Sequence, residues 1–277
     1  MIIRLAAMYL LSLYFITTNR VTSGQVGAII FLAGMMIEAA VSYWEGRTLL
    51  RQTIPEKAAN HPVETKKQVL RFYKPLLYSS FIAIVIGPSI NAMLGKTASI
   101  HLAIAAFAIA GSLTQLVLSF FTYIHQIVLN FYREDSRTVL RFSFLLGFIP
   151  GVFIVILSYS PLGPWFMMNV MGIGDELMRA SLQTLRIFTI LALMFPWLDF
   201  SNGLLMLRGQ NKAMIWSQAA NAIMTSATLG LCILLVPEWN GMIGALAQSL
   251  GVLAELCVVL FVLREAEPSK ERLIGQQ

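Results

Sequence analysis

Four charged side chains lie in stretches that are otherwise apolar. Arg186 and Asp199 share the run "LRIFTILALMFPWLDFSNGLLML" (Leu185–Leu207), with Pro196 between them. Glu38 and Glu255 sit in two further runs, "GAIIFLAGMMIEAAVSYWEGR" (Gly27–Arg47) and "GALAQSLGVLAELCVVLFVLR" (Gly244–Arg264). An arginine presents a planar fork of donors suited to phosphate or carboxylate groups. A carboxylate removed from water is a candidate to take up a proton or a cation. Arg186 and Asp199 are 13 residues apart. On a helix that separation is about 20 Å along the axis, on roughly opposite faces, which suits two stations on a pathway better than one ion pair. The structural alternatives are an Arg186 that reaches the interface or pairs with Asp175 or Glu176, and an Asp199 that caps the chain after Pro196 or pairs with Arg208 or Lys212. Glu38 and Glu255 are read as structural, held by hydrogen bonds from Ser or Gln neighbours. Among uncharged polar residues, Asn91 and Gln115 are the better candidates to line a cavity. Interhelical hydrogen bonds account for His125, Gln126, Asn130, Gln218, Asn221 and Gln248.

The elements that carry these residues are set by composition. Hydrophobic residues make up 57% of the 277 positions and charged residues 12%, about half the charge of an ordinary soluble domain. Eight apolar runs, about 3–19, 25–44, 75–95, 99–130, 139–160, 178–207, 213–236 and 241–263, approach the roughly 20 residues that cross a bilayer core. In lipid the backbone must satisfy its own hydrogen bonds, so each run is expected to be a helix. None shows the alternation of a membrane barrel strand. The expected fold class is an all-α polytopic membrane protein of about eight transmembrane helices. Cys232 and Cys257 both fall inside spans, with no disulfide framework and no metal-ligand spacing.

Sixteen of the 20 Lys and Arg lie at the two ends or at every second connection, from Arg4 through the 47–74 cluster, Arg133–Arg141 and Arg208/Lys212 to Arg264–Arg272. The positive-inside rule then places both termini and the basic connections in the cytoplasm of a multi-pass cell-membrane protein. The net charge of +6 follows from that topology and calls for no nucleic acid.

The runs around Glu38 and Glu255 align at a constant offset of 217. Gly27 meets Gly244, Gly34 meets Gly251, Glu38 meets Glu255 and Arg47 meets Arg264. A repeat at this offset makes residues 72–264 a complete six-helix lobe. Residues 1–46 become the last two helices of a preceding lobe whose first four are missing, residues 47–71 a basic cytoplasmic linker, and 265–277 a cytoplasmic tail. Two such lobes in parallel orientation are a known transporter plan, with the site at their interface.

The stretches "VMGIGDELMRASLQTLRIFTILALMFPWLDFSNGLLMLRGQNKAM" and "PEWNGMIGALAQSLGVLAEL" resemble the last third of the progressive ankylosis proteins. These belong to the multidrug and toxin extrusion and polysaccharide flippase superfamily. "FYKPLLYSSFIAIVIGPSINAMLGK" (Phe72–Lys96) is similar to the seventh helix of that group. The resemblance is most specific at Leu185–Phe188. It implies two six-helix lobes around a central cavity, alternating access, coupling to protons or sodium, and efflux of anionic metabolites such as pyrophosphate, nucleotide triphosphates or citrate. The chain departs from that pattern by lacking the first four helices, which a separate segment would have to supply.

The expected function is therefore a secondary active exporter of an anionic or amphiphilic small solute. Two alternatives stand beside it: a transport-inactive or partner-binding membrane protein, and a lipid-linked or polysaccharide flippase or multidrug cation antiporter. An enzyme is not expected, because no paired-histidine motif, facing aspartate pair or serine with a base is present. No metal or cofactor is expected beyond a coupling proton or sodium ion. The bilayer and a small solute are the expected partners.

Overall fold

The computed structural model describes residues 2–18, 25–53 and 66–265, and among these all regular structure is helical. They form two compact units, Met1–Glu64 and Thr65–Gln277. Unit 1 is a hairpin of α1 (Ile2–Thr17) and α2 (Gln25–Thr53). Unit 2 holds α3 (Lys66–Leu94), α4 (Ile100–Ser119), α5 (Ile124–Phe131), α6 (Ser136–Tyr159), α7 (Leu162–Trp165), α8 (Asp175–Leu207), α9 (Lys212–Leu235) and α10 (Gly241–Glu265).

Among the described residues seven helical segments are long and apolar enough to cross a membrane, six of them in unit 2. The expectation of eight is therefore met by one fewer. With 16 residues, α1 reaches only about 24 Å, short of a core about 30 Å thick. Helices also run into the stretch expected to be a linker. Residues 47–53 continue α2 and residues 66–71 begin α3, so the apolar runs carry basic helical extensions. Residues 54–65 and the tail beyond Glu265 lie outside the described residues.

Unit 2 is built around α8, which packs against α4, α5, α6 and α10. Leu185 and Phe188, three residues apart and hence on one face, are buried there, while Arg186 between them is exposed. Phe188 meets Phe107 of α4 at a ring separation of 5.7 Å. Trp197 meets Phe144 and Phe148 of α6 at 5.3 and 6.0 Å. Pro196 is buried inside α8, which continues past it as one helix. The connection after α6 folds as α7 and a π-helical turn, Phe166–Val170, anchored by the fully buried Met167. At the other end of α6, Asp135 caps the helix by accepting the Thr138 N–H at 3.1 Å. Hydrogen bonds from the Thr138 side chain, first, and from its backbone N–H hold the Asp135 carboxyl below the ordinary value.

The apolar run expected as one helix over 99–130 is interrupted. It ends as α4 at Ser119 and restarts as α5 at Ile124. The buried face of α5 (Ile124, Val128) packs with Val139 of α6 and Phe200 of α8.

Candidate functional site

The restart at α5 leaves backbone N–H groups of its first turn without partners in their own helix. Asp199 of α8 supplies one. Its Oδ2 accepts the His125 N–H at 2.9 Å, and its Oδ1 lies 3.0 Å from His125 Nδ1. Beside a carboxylate Nδ1 carries the proton and donates, which fixes the ring. Asp199 thus caps a different helix and holds an imidazole. Neither a local cap after Pro196 nor a pair with Arg208 or Lys212 describes it. Arg208 instead donates to the Leu263 carbonyl at the end of α10, at 3.0 Å.

Glu255 of α10 is 3% exposed. Its carboxylate receives Gln218 Nε2 at 2.5 Å and Asn221 Nδ2 at 2.7 Å, both from α9. Asn221 in turn accepts from Thr225 Oγ1 at 3.1 Å. Among the described residues no lysine, arginine or histidine is paired with Glu255. The Gln neighbour expected from sequence is present, and Asn221 joins it.

Asp199 and Glu255 line one cavity of about 380 Å³. Its wall also carries the amides Asn202, Gln218, Asn221 and Gln248 and, among the described residues, no lysine, arginine or histidine. Two buried amide oxygens in this wall, Gln218 Oε1 and Asn202 Oδ1, have no hydrogen-bond partner. The chemistry available is that of oxygen donors with excess negative charge: protonation, or binding of a hard monovalent cation. Among the described residues no group of three or more His, Cys, Asp and Glu could hold a metal ion.

The other sequence candidates lie elsewhere. Arg186 is exposed, stacks 4.8 Å above the Tyr159 ring and donates from Nε to the Ser158 carbonyl at 3.4 Å. Asp175 and Glu176 line a separate cavity of about 440 Å³ with Arg179, Glu238 and Trp239. Asn91 and Gln115 are exposed and do not line the Asp199–Glu255 cavity. His125 is the site residue that sequence reasoning left among the packing groups. The polar side chains on its neighbours gave no signal that the 99–130 run would break beside it.

The repeat at 217 reappears in the contacts inside each unit. Glu38 pairs with Arg4 Nη1 at 2.7 Å, and Arg4 shifted by 217 is Asn221, which holds Glu255. A side chain at Gly34 would strike Met8 and Arg4; one at Gly251 would strike Thr225 and Asn221. Each of these partners is the other's counterpart at the same offset.

Compared with known families, with characterised proteins and with solved structures, the chain matches none.

Proposed function

We propose that the chain is a multi-pass membrane transport protein, a secondary exporter that works by alternating access and couples to a proton or sodium ion at Glu255. The observation that carries this reading is the cavity with two carboxylates from two membrane-length helices and, among the described residues, no basic residue in its wall. A glutamate in a bilayer helix costs about 2.5–3.5 kcal/mol on insertion scales for comparable charges, so one left without a counter-charge marks a pathway or an ion site. Asp199 contributes charge to the same cavity while holding His125 and α5. The sign of the cavity selects a cation there. It favours the coupling-ion role over capture of an anionic solute, and equally suits an organic cation as the exchanged solute. Arg186 remains the candidate contact for an anionic group, outside this cavity. The basic connections face the cytoplasm in this reading.

The test is cation flux into liposomes holding the purified chain, alone and with a four-helix partner segment where one is found. A sodium or proton gradient is expected to drive flux that Glu255→Gln lowers more than about tenfold, equivalent to about 1.4 kcal/mol. Equal flux in a well-folded Glu255→Gln protein would show the glutamate to be structural. Absence of flux in every form would favour the transport-inactive reading.

A further inference from the structure

A second built feature lies on α3 and α9, away from the carboxylate cavity. Two hollows of about 350 and 570 Å³ share Pro75 and Lys212 as common wall. Lys74 and Tyr78 of α3, with Ile215 and Trp216 of α9, complete the smaller one. The larger one continues past Lys212 over the Gly209–Ala213 turn to Val262. Among the described residues no carboxylate lines either hollow and neither lysine is in an ion pair. Lys74 Nζ stands 5.8 Å from the Tyr78 ring centre. Tyr78 is 49% exposed and Trp216 73% exposed.

We infer that this groove is a binding site for the phosphate headgroup of an anionic phospholipid. The chemistry has two parts that one ligand must satisfy. Lys74 and Lys212 arrive from different helices at one opening and present ammonium donors to an anion. Below them Pro75, Ile215, Tyr78 and Trp216 form an apolar wall, with two rings of the kind that sit at the headgroup level of a bilayer. A soluble phosphate has no use for that wall. A zwitterionic lipid brings a cationic group that two lysines repel. A basic pocket between membrane helices with aromatic flanks suits a lipid that is anionic at its head and apolar beneath. The lipid would brace α3 against α9, the helix that presents Gln218 and Asn221 to Glu255. Gln218 and Asn221 lie two to three turns beyond Lys212, about 9 and 14 Å along the axis.

The test is native mass spectrometry of the full chain in detergent, titrated with palmitoyl-oleoyl phosphatidylglycerol or phosphatidylcholine. The intact chain is expected to retain phosphatidylglycerol about tenfold more strongly. Lys74→Gln with Lys212→Gln should abolish the preference, while Lys96→Gln, at the other end of α3, should leave it intact. Both lysines are exposed, and an unchanged melting temperature certifies the fold. Equal retention of the two lipids by the intact chain overturns the assignment, whatever the variants do. So does a preference that survives the double substitution. Displacement of the lipid by millimolar inorganic phosphate would show a soluble-anion site instead and also overturns it. Flux through the carboxylate cavity plays no part in any of these readings, so this inference and the proposed function can fail separately.

Discussion

The hairpins α1–α2 and α9–α10 share a contact plan around their glutamates and differ in the charge of the groups that hold them. In the first, Arg4 neutralises Glu38. In the second, the equivalent position is Asn221, and among the described residues Glu255 receives amide donors alone. The surroundings differ to match. A side chain at Gly244 would strike Phe107 and Ile90, whereas one at its counterpart Gly27 would meet nothing within 4 Å. The second hairpin is thus enclosed by α3 and α4 where the first is open within its own unit. An ion pair offsets the charge of a carboxylate and weakens its attraction for a further cation. Replacing the guanidinium with an amide keeps the hydrogen bond and leaves the negative charge unspent, in a place where charge is costly. The exchange separates a glutamate that holds two helices together from one that can also act.

Restoring the arginine in the second hairpin should give the largest effect. Asn221→Arg places a counter-charge beside Glu255 and is expected to lower gradient-driven cation flux more than about tenfold. Asn221→Gln, which keeps an amide, should retain most of it. Flux unaffected by Asn221→Arg in a folded protein would break the comparison.

Packing offers a second contrast, of intermediate size. Gly251→Ala forces the new methyl into Thr225 and Asn221, both already in hydrogen bonds. A loss of about 1–3 kcal/mol is expected for such overpacking, read as a lowered melting temperature in detergent. Gly34→Ala meets chiefly the Met8 side chain, which is flexible enough to move aside, so its cost should stay under about 1 kcal/mol. Equal losses at the two glycines would mean that the hairpins are equally rigid, against the inference from their partners.

The smallest effect is expected from neutralising the first hairpin. Arg4→Asn combined with Glu38→Gln leaves amide-to-amide hydrogen bonding and removes an ion pair whose side chains are 29% and 28% exposed. Cation flux measured as above should not change. A loss comparable to that of Asn221→Arg would place Glu38 on the pathway and remove the distinction between the copies.

The parts of the fold legible in the sequence were those set by local composition. Apolar runs bounded by charge located the membrane-length helices, because a bilayer imposes one length and one hydrogen-bonding solution on every crossing. They missed by nine residues the basic extensions at the end of α2 and the start of α3. The interruption between Ser119 and Ile124 was not legible. "SFFTYIH" contains neither proline nor glycine, and the partner that stabilises the restart, Asp199, comes from another helix. Glu255 was legible as a position and not as a role, since its surroundings depend on which helices enclose α10. Arg186 and Asp199 were read together because they share a helix. In the structure their neighbours differ, Tyr159 and Ser158 for one and His125 for the other.

The cap on α5 sets an order in time. Asp199 follows His125 by 74 residues, so a ribosome adding about 5–20 residues per second delivers it roughly 4–15 s later. During that interval α5, eight residues long, has neither its cap nor the α8 surface, and a helix of that length does not hold alone. Until residue 199 emerges, the 99–130 segment is free to cross as one uninterrupted rod. The capped break at α5 is therefore complete only once Asp199 of α8 has been made.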